Sequence, residues 1–347
     1  MEMQMEAARN NAAWVEAQKI VISEDLVVAA RQQLQFLFIV DQEGCLYDGP
    51  ALDRAINRYN LCWLPLLARH SDSPLLEGPL IVPLDCEWIW HCHRLSPVRY
   101  KDDCETLYGK ILDVAKVQSI TQGSSSGKTE EIWNKMYPNE PYKLYLDGDI
   151  VQRSAAKPVG DPGCTNYDLA AAVKRQSSFF YQVSRSSMKD QCFLKEAMAR
   201  YKAFLYLVRK NKSGGTSFFS VPTYDIDLMW HCHMLRPVSY CKDTTEILGE
   251  VLDHDDTDSD RKKGRKLDVG FTKTTESWEE TYGRPYWKAG AMYRGCESDQ
   301  GAHCISSIHE ISACGGCGGG CGGSCGGGCR GGGGCRSSCG GGGGCSG

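Results

Sequence analysis

Apolar residues recur at three- and four-residue intervals over most of the chain, which predicts amphipathic helices packed on one another. Leu26, Val27, Ala30, Leu34, Leu37 and Phe38 form one stripe; Leu52, Ile56, Tyr59, Trp63 and Leu66 form a second. Ser23-Glu24-Asp25 stands ahead of the first, a hydroxyl cap followed by acids that favour a helix N-terminus. The pattern then starts again. Thr165-Asn166-Tyr167-Asp168 is a capping-box-like entry, and Leu194, Met198, Tyr201, Leu205 and Val208 repeat the second stripe. Turn-rich segments at 71–83 and 211–222 follow. A third helix is predicted in each half, from Asp85 and Asp225 as N-caps to Leu95 and Leu235. The residue before Pro97 or Pro237 avoids helical geometry, and each proline suits the first turn of a further helix. Ser96 is a cap there, and Gly109 and Gly249 are the stops. Residues 123–127 and 253–266 read as loops, and Tyr142 to Leu146 as a short strand. The expected class is mainly α, with four or five helices per half.

The second half copies the first. Trp90-His91-Cys92-His93-Arg94-Leu95-Ser96-Pro97-Val98-Arg99-Tyr100 returns as Trp230-His231-Cys232-His233-Met234-Leu235-Arg236-Pro237-Val238-Ser239-Tyr240. Asp25-Leu26 through Val40 matches Asp168-Leu169 through Val183, and Leu52 to Tyr59 matches Leu194 to Tyr201. Trp133, Tyr137 and Pro141-Tyr142 match Trp278, Tyr282 and Pro285-Tyr286. The offsets drift between 140 and 145 residues, as small loop insertions produce. The expected organisation is two tandem homologous helical repeats, 20–150 and 160–290, between an N-terminal extension, 1–19, and a tail, 291–347.

Bulk properties narrow the class. At 347 residues and 41% hydrophobic, the chain can bury a sizeable core. A net charge of −4 gives no global basic field for nucleic acid or an anionic membrane. No apolar run is long enough to span a bilayer. The acidic start, Met1 to Glu6, lacks the pattern of a secretory signal. A cytoplasmic or nuclear protein with reduced thiols is therefore expected.

The repeated motif carries the candidate chemistry. Helix positions two apart point in nearly opposite directions, so His91 and His93 cannot grip one ion. Glu87 with His91, and Asp227 with His231, are one turn apart and share a face. Acid–imidazole pairs on facing helices are how helical metal sites are built. Packed about a pseudo-two-fold axis, the four side chains could converge on zinc or another divalent metal. Packing is the competing explanation for the motif residues Trp90, His93, Pro97, Tyr100, Trp230, His233, Pro237 and Tyr240, and for Cys92 and Cys232 as small buried hydrophobes. Asp85 and Asp225 are accounted for by capping. Residues 123–129 superficially end like a phosphate-binding loop, but lack the preceding strand and the glycine spacing.

From Cys314 onward, 34 residues contain 20 glycines and 8 cysteines, which cannot bury a core, so the tail is expected to be disordered. Its thiols, Cys314, Cys317, Cys321, Cys325, Cys329, Cys335, Cys339 and Cys345, could hold Zn²⁺ or Cu(I) without a fold to select between them, or act as a redox buffer. One Arg330-Gly331-Gly332 unit with no stacking aromatic is a weak RNA signal. The basic run Arg261 to Lys266 adjoins the acidic run His254 to Asp260, and together they read as a charge-mixed loop.

Asp85 to Tyr100 and Asp225 to Tyr240, with the W-H-x-H-x-L-x-P-x-x-Y pattern and the Gly-rich end, resemble the plant glycine-rich domain-containing proteins. The resemblance implies a regulatory role in development, hormone signalling and abiotic stress responses, with RNA binding suggested. It supplies no catalytic residues. The expectation is a non-enzymatic regulator that binds a protein or RNA partner; the alternative is a metal-binding protein, a metal-dependent hydrolase included, using Glu87, His91, Asp227 and His231.

Overall fold

A computed structural model describes residues 2–70, 78–122, 126–144, 163–215, 218–258 and 262–291. The tail thiols Cys314 to Cys345 lie outside these residues, as do most of the 123–127 loop and Arg261. The fold is helical, as the periodicity predicts. The first copy contains α2 (Leu26–Gln42), α3 (Pro50–Arg58), a π-helical turn (Tyr59–Trp63), α4 (Leu64–His70), α5 (Leu84–Arg94), α6 (Pro97–Tyr108) and α7 (Gly127–Met136). The second contains α8 (Leu169–Val183), α9 (Gln191–Ser213), α10 (Tyr224–Met234), α11 (Pro237–Leu248) and α12 (Lys266–Tyr282). The N-terminal extension forms α1 (Glu2–Gln18), which packs on α9 and α12 with Trp14 edge-on to Trp278 and Tyr282. No described helix is long and apolar enough to cross a membrane.

Several local expectations are corrected. Asp25 and Asp168 cap α2 and α8, whereas Ser23 bonds to Asp243 and Thr165 to Asn60. Pro83 and Thr223 occupy the N-cap positions of α5 and α10. Asp85 and Asp225, one residue inside each helix, are instead buried partners of Arg58 and Arg200, at 2.5 and 2.6 Å. Each arginine also donates to a backbone carbonyl, Tyr142 or Tyr286, both at 2.8 Å. Each lies over an indole, Trp133 or Trp278. The downstream Trp/Tyr block recurs because it closes these ion pairs. Of the expected strand from Tyr142 to Leu146, the described residues 142–144 are not in a strand and the rest lie outside the described residues; Leu80–Val82 pairs in parallel with Val117–Ser119. Tyr142 is buried, with its hydroxyl donating to the Ile81 carbonyl. Pro97 and Pro237 open α6 and α11 as predicted, and Gly109 and Gly249 stop them with left-handed φ of 70° and 81°.

The motif is mostly architecture. Trp90 Nε1 donates to Tyr100 Oη at 2.8 Å, and Tyr100 donates on to the Leu112 carbonyl at 2.7 Å. Trp230, Tyr240 and Leu252 reproduce both bonds at the same distances. The second histidine of each motif is fully buried. His93 Nδ1 is hydrogen-bonded to Tyr59 at 2.8 Å, and its Nε2 lies 3.2 Å from Asp103. His233 sits between Tyr201, at 3.0 Å, and Asp243, at 3.2 Å. An Nε2–H tautomer lets His233 donate to Asp243, whereas His93 Nε2 meets Asp103 at ion-pair distance without hydrogen-bond geometry.

Those aspartates lock the copies together. Asp103 accepts from the backbone N–H of Asn166, at the entry to α8. Asp243 accepts from the N–H of Ser23, at 2.7 Å, and from its hydroxyl, at the entry to α2. Accordingly α2 packs on α9 and α10, and α8 on α3 and α5: each copy lends its first helix to the other. Replacing Asp243 with Ala strands the Ser23 and His233 donors, and urea unfolding is expected to show a loss of about 3 kcal/mol. For the same reason a fragment spanning 20–150 alone is expected to lack a cooperative unfolding transition.

Candidate metal centre

The first histidine of each motif faces a cavity, and the two cavities are built from equivalent positions. Phe36 stacks on His91 with ring centroids 5.4 Å apart; its counterpart Phe179 stacks on His231 at 4.0 Å. Glu87 corresponds to Asp227, Gln33 to Gln176, and Val114 to His254. The four ligands expected from the sequence do not gather at one point. Among the described residues, the group able to hold an ion is Asp227, His231 and His254, with ligand atoms all within 4.8 Å of one another. Glu87 and His91 remain in the first copy's cavity.

Helical spacing puts Asp227 and His231 on one face of α10, with Asp227 Oδ1 3.6 Å from His231 Nε2. His254 arrives from the loop after α11, and its Nε2 lies 3.7 Å from the same oxygen. Its Nδ1 meets the Leu95 carbonyl of the first copy at 3.0 Å. That bond fixes the Nδ1–H tautomer and turns the Nε2 lone pair toward Asp227, the outer contact that ligating imidazoles commonly make. The ring is held edge-on by Trp230 and His231. Burial drives the His231 pKa down to about 3, so its imidazole is neutral and able to coordinate. Burial opposes charge on His254 as well, but the Asp227 carboxylate outweighs it and raises that pKa. Metal–ligand bonds of about 2.0–2.2 Å need ligand atoms roughly 3–3.5 Å apart, so a contraction of well under an ångström per residue completes the site.

The triad lies on the wall of a cavity of about 490 Å³. Phe179, Phe204, Val208, Phe219 and Val221 supply its apolar lining. Glu250, Asp253, Asp255, Asp256 and Asp258 line it as well and outnumber the cations Arg175, Lys212. His254 escaped the sequence reading because a loop histidine has no periodic signal. The available clue was an unrepeated histidine aligned with Val114 by the Leu112/Leu252 equivalence.

The first copy answers differently. There the Leu235 carbonyl of the second copy, equivalent to that of Leu95, accepts from Arg94 Nη1 at 2.5 Å. Burial pushes the Glu87 carboxyl up to about 7, against a 2.8 Å bond from Ser119 that favours the ionised form.

The description "Glycine-rich domain-containing protein-like" matches this chain over residues 1–103 and 99–243. Glycine-rich domain-containing proteins 1 and 2 of Arabidopsis thaliana are each 58% identical to it over 283 residues, 81% of this chain. The chain spans only 35% and 36% of their respective lengths. No solved structure matches.

Glu87→Gln tests the electrostatics of the first cavity. An ionised, buried Glu87 costs stability above the folded pKa of about 7, and nothing below the unfolded value near 4.5, where both states are protonated. The variant is therefore expected to melt higher than the parent at pH 8, with the gap closing as pH falls to about 4.5.

Proposed function

The chain belongs to the glycine-rich domain-containing protein-like family, and within it we propose that this protein is a regulator whose body binds one divalent metal ion of the zinc class. The observation that supports the reading most directly is the convergence of Asp227, His231 and His254 on a cavity wall, with the His254 tautomer set by the Leu95 carbonyl. Two imidazoles and a carboxylate suit zinc and related transition ions. Acidic residues outnumber basic ones on the lining, with Glu250, Asp255 and Asp256 ion-paired to Lys212, Lys266 and Arg175, and the excess favours a cation. Because the Leu95 carbonyl belongs to the other copy, bound metal would also tie the His254 loop to the junction between copies. Metal occupancy thereby stiffens the junction, which is the form a regulatory signal takes here.

Zn²⁺ titration of chelator-stripped, full-length protein by calorimetry tests this. Tail thiols contribute equally to parent and variant, so the difference isolates the body. His231→Ala combined with His254→Ala is expected to lower uptake by one equivalent, and Asp227→Asn to weaken that equivalent by about tenfold or more. Equal uptake by parent and double variant would rule the site out. The first copy provides a gain-of-function check: Arg94→Met with Val114→His restores the second copy's residues beside Glu87 and His91, and is expected to add one equivalent.

A further inference from the structure

We propose that the cavity of the first copy binds a small oxyanion, anchored by the buried guanidinium of Arg94. The cavity, of about 220 Å³, lies between the copies and is lined by Gln33, Glu87, His91, Arg94, Ser119 and Arg236, among others. Arg94 is only 7% exposed. It donates to the carbonyls of Trp90, at 3.2 Å, and Leu235, at 2.5 Å, and stacks on the Trp90 ring. These bonds occupy two of its five N–H donors. Among the described residues no carboxylate lies within ion-pair distance of it. Its acidic neighbour on the lining, Glu87, acts on it through space without forming an ion pair, so the fold retains a buried, directly unpaired cation beside a cavity. Burial lowers its pKa only to about 10, so it is charged at neutral pH.

The neighbouring groups are donors too. His91 Nε2 and Gln33 Nε2 are buried and have no hydrogen-bond partner among the described residues. Burial holds the His91 ring neutral, and in its Nε2–H tautomer it adds one N–H. Arg236 brings a second, partly exposed cation, itself 3.9 Å from the carboxylate of Glu24. Glu87 is the single acid on the lining, and helix α2 contributes glutamines but no charge there. A guanidinium fork with converging N–H groups matches the oxygens of a phosphate, sulfate or short carboxylate. The volume suits such an ion, several times the roughly 30 Å³ of one water. The second copy has inverted this chemistry: Met234 stands where Arg94 does, and carboxylates dominate its cavity.

The test is independent of the metal reading. Chelator-stripped, full-length protein is titrated with phosphate, sulfate and acetate, followed by calorimetry and thermal shift at pH 8. Saturable binding of at least one is expected. Arg94→Met is expected to weaken it by about tenfold or more. Glu87→Gln, which removes the one repelling carboxylate at similar size, is expected to strengthen it severalfold. His231→Ala with His254→Ala is expected to leave it unchanged, which separates this cavity from an anion held on a metal. No saturable binding by any of the three, or binding undiminished in Arg94→Met, overturns the proposal. If circular dichroism shows that Arg94→Met fails to fold, Glu87→Gln decides, and unchanged affinity there overturns it.

Discussion

Everything rests on the exchange of first helices, and the exchange rests on two buried imidazole–carboxylate links. His233 with Asp243 carries a hydrogen-bond chain from Tyr201 to the backbone that starts α2, and His93 sits 3.2 Å from Asp103 in the equivalent place, where Asp103 accepts from the backbone that leads into α8. The imidazoles are fully buried and the aspartates nearly so, so each link is worth more than a surface pair and is expensive to leave unmade. The Arg58–Asp85 and Arg200–Asp225 pairs then fix the motif helices against their own downstream segments. With both ends of each motif helix committed to structure, the face bearing His91 or His231 is left to border a cavity.

The two cavities began alike and differ through a few positions. His254 against Val114 decides whether a third ligand is present; Arg94 against Met234 decides which donor takes the neighbour's carbonyl. One cavity is consequently acidic and imidazole-rich, the other cationic. Duplication preserved the frame while the lining changed sign.

Much of the frame was legible because helices announce themselves by period. The stripes at Leu26 to Phe38 and Leu194 to Val208, the prolines at 97 and 237, and the glycine stops at 109 and 249 all correspond to observed elements. The misplaced caps have one cause. Ser23, Asp85 and Asp225 have residue types that cap helices, but their side-chain oxygens are claimed by partners 220, 27 and 25 residues away, which local sequence does not reveal. The same holds for the candidate site. Asp227 and His231 were readable as a one-turn pair, whereas His254 joins them only through the path of a loop. The two pairs do not converge: each first histidine stacks on its own copy's phenylalanine, Phe36 or Phe179, at a separate cavity.

The reciprocal loan of first helices also limits how such a chain can grow. In an open array each added unit docks on the last and leaves a fresh surface for the next. Here each unit both gives and receives a helix, so among the described residues the two units close on one another, as in a two-fold dimer. A third copy would find no vacant place to insert its helix. Lineages built on this unit should therefore lengthen by adding pairs or unrelated segments, never a single extra repeat.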